Sequence, residues 1–240
     1  MPRILVYFLI LISAFRSQCQ TSERSFYGGG CIKSTGFGVA YQSKFETQNK
    51  LGKQFDLDLT TYHHAQETKS FNTEANYPSP YVFGKLNKVA LLRAGYAYSY
   101  TISKFTDAQR IGIDLIVGAG VSLAFLKPVY LNIIYPDAAG YDIVVSEKYN
   151  PVKHHDKSKI AGYSDSRVGM NEMDYKGGLF ARVGLGFVWG YFTNFPKRLE
   201  IGIHSEFFKH GLPVMGTLKN KSLINGVYLK CFIGKRVAKN

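Results

Sequence analysis

Residues 111–125 read IGIDLIVGAGVSLAF, and their side chains sort into two sets with a period of two. Ile111, Ile113, Leu115, Val117, Ala119, Val121, Leu123 and Phe125 form one set; Gly112, Asp114, Ile116, Gly118, Gly120, Ser122 and Ala124 form the other. The alternation marks a strand, since a helix would bring Asp114 and Val117 to the same side. The run exceeds the ~5–6 residues of an ordinary soluble strand and meets the ~9–11 needed to cross a bilayer at a tilt. One face is wholly apolar, and the other is small or polar apart from Ile116. A barrel wall between lipid and a tight lumen needs that division. On this stretch alone, a strand of a soluble sandwich or lipocalin-like barrel also satisfies the alternation.

The same pattern recurs along the chain. It sets Phe37, Val39, Tyr41 and Phe45 against Gly36, Gly38, Ala40, Gln42, Lys44 and Glu46, and Phe55, Leu57 and Leu59 against Asp56, Asp58, Thr60 and Tyr62. Further strands are expected at residues 89–102, 179–191, 199–209 and 225–237. From Gly36 onward the connections run short, long, short, long, short, long. Outer-membrane barrels alternate short periplasmic turns with longer outer loops, and a soluble sandwich has no reason to. The parity requires one more strand within residues 25–34 (SFYGGGCIKS), although glycines are poor strand formers. The expected fold is therefore all-β: a closed antiparallel up-and-down transmembrane β-barrel of about eight strands, with both termini periplasmic.

Residues 1–19 read as a signal peptide, with Arg3 as the positive n-region and an apolar run over residues 4–15 too short to span a bilayer as a helix. Ser17 and Cys19 suit cleavage before Gln20. A lipoprotein retaining acylated Cys19 is the rival, disfavoured by Gln18 and Arg16 beside it. Residues 20–240 then form one barrel domain with a long outer loop at about 127–176. The start of that loop, residues 129–135 and 141–146, reads as a hairpin projecting from the wall; the rest is polar. No later run reaches the ~18 apolar residues of a membrane helix, which excludes a helical membrane protein.

The 17 Tyr and 17 Phe suit sheets and interfacial girdles. The net charge of +13 fits nucleic acid or anionic lipid headgroups, and export selects the second. The expected partners are outer-membrane lipid, lipopolysaccharide and proteins of a larger outer-membrane complex, with no nucleic acid. Cys31 and Cys231 lie near the two ends of the chain, which a closed barrel makes neighbours, so a disulfide is conceivable. Two small apolar wall residues is the favoured reading.

The inward face is expected to carry Lys44, Arg93, Arg110, Arg182 and Lys230 as bases, and Glu46, Asp56, Asp58, Asp114, Glu200 and Glu206 as acids, with His204 among them. Lys44, Asp56, Asp58, Arg93, Asp114, Arg182, His204, Glu206 and Lys230 form the expected lumen charge network. About eight strands leave just enough room for side chains, so the network reads as a plug of ion pairs with glycines beside bulky neighbours. Arg93 and Asp114 are the expected pair, because a short turn joins their strands. A narrow pore or proton path is the sharper alternative.

No catalytic residue and no cofactor is expected. His204 and Ser205 resemble the base and nucleophile of barrel-embedded lipid A deacylases, but adjacent strand residues point to opposite faces. His63-His64 and His154-His155-Asp156 are candidate metal ligands, yet such loop pairs are usually solvated, and no metal is assigned. GAG and GLG lie inside strands and not before a helix, so no dinucleotide site is expected.

The segments YVFGKLNKVALLRAGYAYSYTISK (residues 81–104), GVSLAFLKPVYLNIIYP (120–136) and EKYNPVKHH (147–155) resemble a family of small uncharacterised outer-membrane barrels from Bacteroidetes, with LKPVYL the most specific motif. The resemblance runs from about residue 81 to the C-terminus; DKSKIAGYSD, which follows, departs from the family pattern. It implies a fold and a compartment and no activity. Two functions follow as expectations: a structural or accessory subunit of an outer-membrane assembly, or a small channel.

Overall fold

Each alternating stretch becomes one strand of a continuous wall. The structure, a computed structural model, describes residues 23–46, 50–73, 79–103, 111–136, 142–190, 195–216 and 220–237. The leader over residues 1–19, the turn at 106–109 and Arg110 lie outside the described residues, as does the side chain of Glu46.

The wall strands are β1 (Glu23–Lys33), β2 (Gly36–Glu46), β3 (Leu51–Tyr62), β4 (Asn87–Ser103), β5 (Gly112–Pro128), β6 (Asp174–Trp189), β7 (Lys197–Phe207) and β8 (Leu223–Val237). Every strand pairs antiparallel with its neighbour in sequence, and β1 pairs with β8 from Arg24↔Val237 to Lys33↔Tyr228, closing an eight-stranded up-and-down barrel. Closure removes every free edge from the wall, so no row of unpaired backbone groups faces the lipid. The glycine-rich β1 is held on both sides, by β2 and by β8. Gly29 is needed there: a Cβ would collide with the Cys231 carbonyl of the neighbouring strand.

The alternation then sets the two surfaces. Each strand turns large apolar residues outward, among them Ile32, Val39, Leu57, Tyr98, Val117, Val183, Ile203 and Val227. An apolar belt continuous around a wall cannot face water, where exposed patches are small and local. Aromatic residues flank it: Phe37, Phe207 and the edge-on Phe125–Tyr175 pair at one end, and Tyr100 and Trp189 at the other. Arg24 lies over the rings of Phe26 and Phe45 at 4.8 and 4.6 Å at that second end. Belt and girdles together make a membrane-spanning barrel.

Cys31 and Cys231 stand on paired strands but in adjacent registers, Cys31↔Lys230 and Gly30↔Cys231. Cys31 is buried inside and Cys231 exposed outside, and both thiols are free. The period of two separates them by the thickness of the wall.

Residues 34–35 join β1 to β2 at one end of the wall, here the loop end, where Tyr62, Asn87, Pro128, Asp174, Phe207 and Leu223 also stand; Glu23, Glu46, Leu51, Ser103, Gly112, Trp189, Lys197 and Val237 stand at the other, the terminal end. The long loops build a cap. Tyr130–Pro136 and Asp142–Lys148 form the expected hairpin. The segment beyond it is not merely polar, since Ile160–Tyr163 adds a third strand on the other side of Tyr130–Pro136. The reason is the buried apolar run of Ile160 and Ala161 inside charged flanks. Tyr81, Val129, Leu131, Ile133, Tyr149 and Ile160 form the cap core.

Candidate functional site

The one concentration of chemically capable groups is the lumen, where six bases and five acids are buried among the described residues. Their strands hold them in three tiers. Nearest the loop end, Asp58 on β3 receives Lys33 at 3.0 Å, Arg93 at 3.3 Å and Lys230 at 3.6 Å. Arg93 also donates to Thr60 at 2.7 Å and, through Nε, to Glu206 at 2.7 Å. His204 Nε2 lies 3.5 Å from the same Glu206 oxygen.

In the middle tier, Arg182 on β6 pairs with Asp56 at 2.6 Å and with Glu200. Glu200 further accepts from Gln42 and from the Tyr228 hydroxyl, each at 2.8 Å. Toward the terminal end, Asp114 on β5 pairs with Lys44 at 2.8 Å and Arg198 at 3.3 Å and accepts from Thr101 at 3.0 Å. Every acid in the network has at least one cationic partner. An unpaired carboxylate buried here would be costly, so a cation beside every acid is what makes burial tolerable.

Arg93 does not pair with Asp114. Their strands are neighbours, but Arg93 stands opposite Ser122 and Asp114 opposite Thr101. The two groups are therefore eight residues apart along the ladder, roughly 26 Å at strand rise. A short turn joins strands at one end only, and these two residues sit at opposite ends.

Glycines make the remaining space. A Cβ at Gly95 or Gly120 would each come within 2.8 Å of the Phe180 ring, so the two form a flat seat for it on the inner wall. The ionic stack has an apolar layer over its loop end and an aromatic pair along its β1–β8 side. At the loop end, Tyr62, Leu91, Leu126, Phe208, Leu212 and Met215 belong to one buried cluster, in which residues 208–215 meet the inner wall. Beside the lowest tier, the Tyr27 and Phe232 rings meet edge-on at 6.4 Å, and the Arg198 guanidinium lies 5.9 Å from the Tyr27 ring.

Sequence reasoning placed Lys44, Asp56, Asp58, Arg93, Asp114, Arg182, His204, Glu206 and Lys230 on the inner face, and the structure locates all of them there. It did not include Lys33, Gln54 or Arg198, which are equally buried. Gln54 and Arg198 sit one residue before the strand starts read from the sequence; extending the alternation by one step finds both.

The remaining candidates do not converge. His204 faces the lumen and Ser205 the outside, so base and nucleophile are separated by the wall. His63 Nδ1 meets Glu67 at 3.4 Å. His154 is buried in the cap, accepts from the Asn150 N–H at 3.1 Å and meets Glu147 at 3.3 Å, a clip that closes residues 147–154. No group of three His, Cys, Asp or Glu suited to a metal ion occurs among the described residues.

The loops of the cap are tied to one another by further polar contacts. Asn72 donates to the Ser158 and Ile160 carbonyls at 2.7 and 3.0 Å, and the Val82 N–H donates to the Tyr163 hydroxyl at 3.0 Å. Lys85 meets Glu67 at 2.5 Å. Burial opposes ionisation of Glu67, but the hydrogen bonds from Lys85 and the His64 N–H, with the Lys85 charge, outweigh it and hold its pKa below the ordinary glutamate value.

A closed wall with an apolar outside and an ionic inside is built for an outer membrane. The chain is an outer-membrane β-barrel. In overall shape it is similar to neisserial surface protein A, NspA, at 12% identity and a TM-score of 0.41, with 93% of this chain and 100% of that one covered. It is also similar to Ail, the attachment invasion locus protein of Yersinia pestis, at 12% identity and a TM-score of 0.37, covering 90% of this chain and 97% of that one. The N-terminal β-barrel domain of Pseudomonas aeruginosa OprF matches at 12% identity and a TM-score of 0.38, covering 92% and 100%. No protein-family model and no curated protein matches the chain.

Proposed function

We propose that this chain is a non-enzymatic barrel whose lumen is closed, serving as a structural or accessory subunit of an outer-membrane assembly and holding its cap outside the cell. One observation carries this: the lumen side chains of the ion-pair network are at most 5% exposed, and an apolar layer lies over the loop end of the stack. A small channel needs a continuous wet path, and the burial of these side chains weighs against one. What reaches water is the cap, so interaction belongs there.

The family resemblance to small Bacteroidetes barrels is part of this reading. Its motifs coincide with cap construction. LKPVYL runs from Leu126, buried over the lumen, through Pro128, where β5 ends, to Leu131 in the cap core. EKYNPVKHH supplies Tyr149 and the His154 clip. Lipopolysaccharide and membrane lipid are the partners of the belt and girdles.

Purification in mild detergent followed by mass spectrometry tests the role. A second outer-membrane protein recovered in fixed ratio is expected. A barrel recovered alone that conducts ions steadily overturns the proposal in favour of the channel.

A further inference from the structure

The strand Asp142–Lys148 (DIVVSEK) is the outermost of the cap sheet and has a free edge among the described residues. Its phase is set by the Tyr149 N–H, which donates to the Val129 carbonyl at 2.9 Å. Tyr149 and Val129 are in register with the pairs Glu147↔Leu131, Val145↔Ile133 and Ile143↔Tyr135. In an antiparallel ladder alternate residues bond to the same neighbour. Residues 143, 145 and 147 therefore bond inward, and the N–H and C=O groups of Asp142, Val144, Ser146 and Lys148 point out along the free edge. The strand is also apolar where it is most open: Ile143, Val144 and Val145 are 49%, 55% and 40% exposed. Natural edges are guarded by proline, a bulge or an inward-pointing charge. Within residues 143–146 there is none of these.

We propose that this edge pairs antiparallel with the same strand of a second copy of the chain, about a twofold axis through Val145. That register satisfies the edge by chemistry on the page. It makes Asp142↔Lys148 and Val144↔Ser146 the hydrogen-bonded pairs, which are the residues whose backbone groups point outward. It sets Val145 against Val145 as the closer, non-bonded pair. Asp142 and Lys148 meet at both ends, so the strand is complementary to itself in charge. Sliding by two residues in either direction sets Asp142 against Ser146, or Val144 against Lys148, and loses both charge pairs. A twofold contact of this kind is self-closing, so it stops at a dimer. The axis stands perpendicular to the sheet. Barrels then share one membrane if the sheet lies flat on it, or face each other across two membranes if it stands upright.

The inference rests on the cap standing in water, as in the proposed function, and not on closure of the lumen. A conducting barrel that still pairs leaves it standing; a closed barrel that stays monomeric overturns it alone.

Disulfide trapping tests the register. In a Cys231→Ser background, Val145→Cys is expected to cross-link across the axis, because facing non-bonded residues have Cα atoms ~4.5 Å apart, within disulfide reach. Ile143→Cys is the control. In this register its symmetry mate lies four residues along the strand, roughly 13 Å away, and dimer yield should be at least about tenfold lower. Asp142→Lys or Lys148→Asp alone should reduce trapping by Val145→Cys, and the two together should restore it, since the swap keeps opposite charges facing. Heat-shifted migration in detergent gels confirms that each variant is folded. Mixing two separately marked vesicle populations shows whether the pair forms within one membrane or between two, and either supports the proposal. Equal trapping at positions 143 and 145, no trapping of a folded Val145→Cys barrel, or a double swap that fails to restore it overturns the proposal.

Discussion

Arg93 Nε lies 2.7 Å from Glu206 Oε1, and the contact crosses the lumen from β4 to β7. The two side chains are 1% and 0% exposed. No sheet hydrogen bond joins these strands, so this pair and the Arg182–Asp56 pair brace the wall through its interior.

Glu206→Ala is expected to destabilise the barrel by roughly 3–5 kcal/mol, because it leaves Arg93 buried with only Asp58 and Thr60. The double replacement with Arg93→Ala should recover part of that loss. Val117→Leu, on the lipid side, should cost less than about 1.5 kcal/mol. Urea unfolding of the barrel in vesicles, arranged as a double-mutant cycle, measures all of these.

Asp114 should couple to Lys44 and Arg198 and not to Arg93. Asp114→Ala with Lys44→Ala is expected to show an interaction energy within about 0.5–3 kcal/mol, whereas Asp114→Ala with Arg93→Ala should add to within about 0.5 kcal/mol. Strong coupling of the second pair would place the two residues in one tier, against the register between β4 and β5.

These pairings show where sequence reading stops. The period of two names the face of a residue, because successive side chains on a strand point to opposite sides. It therefore located Asp58, Arg93 and Glu206 inside together. It says nothing of height, which depends on the stagger between strands, and so Arg93 was matched to the wrong acid. Strand ends were the second gap. Arg198 follows Lys197 in a turn-like context next to Pro196, and only the ladder with β6 and β8 carries the strand that far. The strand Ile160–Tyr163 was missed because its run is short and lies inside a charged segment, where burial comes from the cap core and not from its own pattern.

The cap should loosen in acid. The folded pKa of Glu67 is depressed, so its contribution to stability is present above the ordinary glutamate value and is lost as pH falls through that value toward the folded one. Hydrogen exchange at the backbone amides around Val82 and Leu86, corrected for intrinsic rates, should rise over that acidic range. Glu67→Gln should remove the pH dependence and leave exchange raised at neutral pH. An unchanged profile in that variant would mean another group governs the cap.

Protease added to intact cells is expected to cut after Lys157 or Lys159, in the exposed turn that precedes Ile160. The paired strand Tyr130–Pro136 should resist, since Leu131 and Ile133 are buried in the cap. Protection in intact cells with cleavage only after lysis would reverse the sidedness and place the cap in the periplasm.

Closure of the lumen is measured most directly by the current through the purified barrel in a planar bilayer. With the ionic tiers packed beneath the apolar layer of the loop end, the current should stay at the baseline of the empty bilayer at every salt concentration. Loosening the lowest tier by Arg198→Ala should lower stability without opening a steady path, because the apolar cluster at the loop end remains. Discrete, salt-dependent conductance steps from the unaltered protein would contradict a closed lumen and make the barrel a channel.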